Sequence, residues 1–155
     1  MPKPQDPRVP PEVEEYLVAR NVKAGQIGGT IGGALGGGAP GMLGGRRGAL
    51  RGADRGARRI HTTVEERTGA LALTEDQVYE HVMSAVPKAE ELPASGVQRW
   101  AVPVGVTGLV HVVVDIAITG EPGGQTVLRA FGKEGLITRH PTRQVADQVW
   151  SALES

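Results

Sequence analysis

The chain has 155 residues with 23 Gly, 11 Pro and no Cys, and its 17 basic and 17 acidic residues cancel to a formal net charge of zero. Without Cys there is no disulfide scaffold, no Cys-ligated zinc, no Cys nucleophile and no lipid-accepting thiol. No run of about 18 strongly apolar residues occurs, which excludes a conventional transmembrane helix.

The zero balance hides three blocks: residues 1–22 carry a net charge of −1, residues 23–60 of +6, and residues 61–155 of −5. A basic block of this kind points to an anionic surface, membrane or nucleic acid, or folds back on the acidic part of its own chain. The start, Met1-Pro2-Lys3-Pro4-Gln5-Asp6-Pro7, lacks the basic and apolar regions of a secretory signal peptide. That favours the cytoplasm or the cytoplasmic face of a membrane. Arg outnumbers Lys, and with the Gly and Ala content this suggests a GC-rich bacterial genome.

In chain order, the first element falls in an N-terminal tail, residues 1–22. Pro10-Pro11-Glu12 followed by Val13, Tyr16, Leu17 and Arg20 predicts a short helix. Pro11 suits its first turn, and Glu12, Glu14 and Glu15 complement the helix dipole there. Ten or so residues are too few to hold a helix in water. Its apolar face therefore needs a partner, either the C-terminal domain or another copy of the chain.

Residues 23–62 form a second segment built on a tetrad repeat. Residues 24–59 divide into AGQI, GGTI, GGAL, GGGA, PGML, GGRR, GALR, GADR and GARR. All the glycines except Gly38 sort into the first two registers. The fourth register holds Ile27, Ile31, Leu35, Ala39 and Leu43, then Arg47, Arg51, Arg55 and Arg59. A structureless linker has no reason to sort residues by register. On a helix, residues four apart share a face, so the glycines make a groove and the fourth register a ridge. The opposing term is large. Eleven Gly in residues 24–45 cost on the order of 10 kcal/mol of helix propensity against Ala, and Pro40 adds a break. Such a helix needs a bilayer or a tightly packed partner.

The run Gly25, Gly29, Gly33, Gly37, Gly41 and Gly45 resembles the glycine-zipper motif of bacterial membrane-associated proteins. The resemblance covers about a quarter of the chain and none of residues 61–155. It implies close helix packing, often in a membrane hairpin and commonly in exported lipoproteins. This chain departs from the pattern in lacking a lipid-accepting Cys and in carrying Arg at every fourth residue of its second half. Arg47, Arg51, Arg55 and Arg59 suit anionic lipid headgroups. The alternative is phosphate contact with nucleic acid, against which stands the absence of any aromatic residue in 17–78 to stack bases. A solvated, flexible spacer is the remaining reading.

Residues 63–155 carry the one clear core pattern. Thr74-Glu75-Asp76-Gln77 is a capping box, followed by a stripe of Val78, Val82, Ala85 and Val86. Ala70–Leu73 reads as a short strand or simply a lead-in. Trp100, Val102, Val104 and Val106 alternate as a strand, and Pro103 makes it an edge or bulged one. Val110, Val112, Val114, Ile116 and Ile118 mark a central strand. Val127, Arg129 and Phe131 mark another, with Gly132 as a bulge or turn and Leu136 and Ile137 as its extension. A closing helix begins near Pro141, with Val145, Val149, Trp150 and Leu153. The expected class is α+β: a two-layer domain in which a small antiparallel sheet of three to four strands packs with two helices.

No catalytic constellation emerges. His111 and Asp115 share a strand face, but four residues along a strand span about 13 Å. His61, His81 and His140 lack ligand spacing, and Ser84, Ser95, Ser151 and Ser155 lie in no nucleophile context. The Gly tract is not a P-loop. Arg99, Arg129, Arg139 and Arg143 either gather on the sheet to bind an anion or are paired with the domain's acids. The sequence thus points to a non-enzymatic protein without cofactor or metal. In it the Gly/Arg repeat contacts an anionic membrane surface or copies of the chain, and the C-terminal domain is a binding module. Two rivals stand beside it. One is a soluble domain for a small ligand or protein on a Gly-rich tether, marked by an apolar pocket between the last helix and the sheet. The other is a nucleic-acid-associated protein.

Overall fold

The computed structural model of the chain describes residues 6–25, 27, 52–105, 107–119, 124–134 and 140–155. Residues 11–25 are helical (α1), as are residues 52–59 (α2). There follow β1 (Thr62–Gly69), α3 (Glu75–Ala85), β2 (Glu90–Leu92), β3 (Gln98–Val104), β4 (Val110–Ile118), β5 (Thr126–Lys133) and α4 (Pro141–Leu153). The five strands form one antiparallel sheet in the order β1-β5-β4-β3-β2. The architecture is α+β, with five strands where the periodicity supplies three or four.

The start signal of α3 works as its residues require: the Gln77 amide N–H donates to Thr74 Oγ1, and the Thr74 N–H to Gln77 Oε1. Its stripe of Val78, Val82 and Val86 is buried against Trp100, Val112, Val114, Ile116 and Leu128 of the sheet and Val145, Ala146, Val149 and Leu153 of α4. At β4 the alternation holds, and the strand is central as expected. Pro103 lies where β2 has already ended, since β2 pairs only with Arg99–Ala101. Among the described residues no strand pairs with Pro103 on that side, which a residue without an N–H tolerates.

Two strands escape the hydrophobic pattern. β1 reads TTVEERTG, with Val64 its one large apolar residue. It is held by pairing along all eight residues of β5 and by charge, Arg129 to Glu66 at 2.6 Å and Arg67 to Asp147 at 2.6 Å. β2 is only three residues, Glu90–Leu92. Both are edge strands, and short or charged edges resist pairing with foreign strands. Residues 70–73 are the lead-in to α3, not a strand.

Two further expectations are corrected. The domain has three layers rather than two, because α1 covers the sheet face opposite α3 and α4. There Val9, Val13 and Leu17 pack with Val113 and Phe131. The apolar face of α1 thus finds its partner in its own chain. Gly132 is neither bulge nor turn; it pairs in register with Thr63 and Val112. It is Gly because α4 comes so close: a Cβ there would sit 2.2 Å from Thr142 Oγ1. Leu136 and Ile137 lie outside the described residues. Gly132→Ala should cost about 1–3 kcal/mol by overpacking. Thr142→Ala should recover most of that loss, because the remaining contact relaxes to 3.4 Å. Urea denaturation of the two singles and the double checks this; equal loss with and without Thr142 contradicts it.

Candidate functional site

The sheet face under α1 carries most of the interior charge. Arg99 Nε and Nη2 donate to Asp115 Oδ1 and Oδ2 at 2.6 and 2.7 Å, with both side chains under a tenth exposed. Arg99 also reaches Glu12 of α1 at 3.2 Å. Bidentate geometry is what makes a buried pair tolerable; losing one partner would strand a charge away from water. Glu12 is held below its usual carboxylate range first by its own backbone N–H and then by Arg99. His111 and Asp115 therefore turn to separate partners, in keeping with their spacing. His111 Nδ1 meets the Tyr16 hydroxyl at 2.8 Å, and Arg20 Nε donates to that hydroxyl at 3.2 Å. Arg129 pairs with Glu66 and Arg143 with Glu65, so these arginines do not gather as an anion site. Arg139 is outside the described residues.

A third joint ties three segments together. The Lys133 side chain is 1% exposed. Its Nζ donates to Glu14 Oε1 of α1 and to the Ile60 carbonyl at the end of α2. Thr62 Oγ1 donates to Glu14 Oε2 at 2.6 Å. Sequence reasoning missed this joint. Lys133 continues the alternate register of Arg129 and Phe131, which was its only signal.

The tetrad repeat enters the structure at both ends. Gly25 of α1 lies against α2 so closely that a Cβ would be 2.9 Å from the Cβ of Ala53. Ala57 of α2 is buried, while Arg55 and Arg59 are exposed. Glu14 meets Thr62 and Gly25 meets Ala53, so the two segments run antiparallel. Gly29, Gly33, Gly37, Gly41, Gly45, Arg47 and Arg51 lie outside the described residues. Among the described residues no helix is long and apolar enough to cross a membrane. No three His, Asp or Glu gather there as metal ligands either.

A cavity of about 590 Å³ opens on the other face of the sheet. It lies between the C-terminal end of α3, the β3–β4 turn and the first turns of α4. Val86, Val102, Val104, Val110 and Val145 supply its walls, and among the described lining residues Lys88 is the one that carries a charge. Its size falls within the range of small-molecule sites. The cavity sits between the last helix and the sheet, where an apolar pocket would mark a ligand-binding domain. Its lining comes from element ends far apart in sequence, so no local pattern announced it. Comparison with family models, curated proteins and solved structures returned no match to this chain.

The His111 contact yields a pH dependence. Burial, and then the Arg20 charge, hold its pKa below the ordinary 6.5. Between the folded value and 6.5 the unfolded chain binds a proton that the folded chain refuses. The contribution is complete above pH 6.5 and is lost as pH falls through the lower folded value. Urea midpoints should therefore fall between about pH 7 and pH 5. His111→Gln, which keeps a partner for Tyr16, should flatten that slope; an unchanged slope assigns it elsewhere.

Proposed function

We propose that this is a non-enzymatic protein in which the tetrad repeat is a helix-packing and surface-binding arm and the α+β body is a binding module. The observation that carries the reading is the Gly25–Ala53 approach. Small residues at the repeat's own registers bring two helices together there, which is the contact a glycine zipper makes. The zipper glycines then serve contact within the arm or with a second copy, and Arg47, Arg51, Arg55 and Arg59 serve anionic headgroups. Arg55 and Arg59 are exposed, as that role requires.

A second reading, a small-ligand-binding domain with the repeat as tether, is favoured by the 590 Å³ cavity. The two are compatible, since α1, which leads into the arm, and the cavity lie on opposite faces of one sheet.

Liposome flotation tests the arm in the full chain. A chain shortened to begin near Thr63 is unsuitable, because it would strip α1 from Val113 and Phe131 and leave Lys133 without Glu14. The protein should float with anionic vesicles at low salt and not with neutral ones. Each Arg near such a surface contributes roughly 1 kcal/mol. Replacing Arg47, Arg51, Arg55 and Arg59 by Ala should weaken partitioning by on the order of a thousandfold. Replacing Gly29, Gly33 and Gly37 by Leu should abolish assembly seen by light scattering, whereas a tether would be indifferent to those registers. A chain that neither floats nor associates at any concentration would refute the reading.

A further inference from the structure

The arm and the cavity leave the body at the same end of the sheet. That end is set by the pairs Thr62↔Lys133, Gly132↔Val112 and Val104↔Val110. On one face, α1 passes Arg99 at Glu12 and reaches His111 at Tyr16, so it climbs toward that end. Gly25 is a further nine residues on, about 14 Å along the helix axis. α2 returns to the same end, where the Ile60 carbonyl meets Lys133. On the other face, the β3–β4 turn at Gly105 and Thr107 and the first residue of α4, Pro141, border the cavity. A surface that holds the arm would therefore lie at the mouth of the cavity.

The lining states what could enter. Its walls are aliphatic Val, Pro and Ala, and among the described lining residues there is no aromatic side chain to stack on a flat ring. No charged group lies among those wall residues, so the buried part of an occupant has to be uncharged. Gln148, one of the polar liners, already donates to the Ala85 carbonyl at 2.7 Å. Lys88 is exposed, on the loop after α3, and offers a cation at the rim. From this geometry we infer that the cavity takes the acyl chain of an anionic amphiphile, with Lys88 facing its head group.

This rests on the reading of the body as a binding module, and it is separable from the arm. The head group could belong to a free fatty acid or to a membrane lipid with one chain, and the chemistry at the site is the same. Calorimetric titration of the full chain with laurate, below its micelle concentration, should give saturable binding of one molecule per chain. Lauroyl-lysophosphatidylglycerol presented in phosphatidylcholine vesicles forms the second arm; binding of either supports the inference, and the tighter one names the source. Val104→Phe and Val110→Trp fill the cavity from partly exposed positions and should weaken laurate at least tenfold, with circular dichroism reporting that the fold persists. Lys88→Glu should weaken laurate by about fivefold, as expected for a rim charge, while leaving dodecanol unchanged. If neither probe binds, or if both filled variants bind laurate as well as the wild type, the inference is overturned even where the protein floats. Laurate binding by a chain that neither floats nor associates keeps the cavity and removes the arm.

Discussion

A buried ammonium holds the molecule's three parts in one arrangement. Lys133 ends the second strand of the sheet, yet its side chain is almost wholly enclosed, with Glu14 and the Ile60 carbonyl around it. Removing a charge from water is costly unless it is paired and its donors are used. Lys133 meets that condition only when α1, the end of α2 and β5 are all in place. Hydrophobic packing of Val13 and Leu17 on Phe131 provides area, but area alone would permit α1 to slide or rotate. The three polar joints, Glu12–Arg99, Glu14–Lys133 and Tyr16–His111, fix its position, and with it the point where the tetrad repeat departs.

The legible parts of the fold were those with strong local signals. α3 has a capping box and a valine stripe, β4 a nine-residue alternation, and α4 a proline start with a period of four. β1 was illegible because its eight residues carry one large apolar side chain, and its stability comes from pairing with β5 and from ions. Periodicity cannot see either. β2 is too short to alternate. Gly132 was misread for another reason: a strand glycine signals bulge, turn and close approach equally, and only the position of Thr142 distinguishes them.

The site shows the same division. The tetrad registers were plain in the sequence, and Gly25 makes a close helix contact. The seat of α1 was half legible: an apolar face in need of a partner could be read, but its partner lies some hundred residues away. The place of the cavity, between the last helix and the sheet, could be named from the sequence, but not its presence or size. It is bounded by the ends of α3, β3, β4 and α4, and the gap between element ends depends on how far each helix overshoots the sheet.

The pairing of Glu14 with Lys133 spans 119 residues. A ribosome adds about 5–20 residues per second, so α1 emerges on the order of ten seconds before β5 can receive it. During that interval Val13, Tyr16 and Leu17 have no sheet to cover. The seat of α1 is therefore complete only after β5 has been made. Contacts of such long range slow folding and prolong exposure of apolar surface. Until its own sheet is finished, the apolar face of α1 stays open to water.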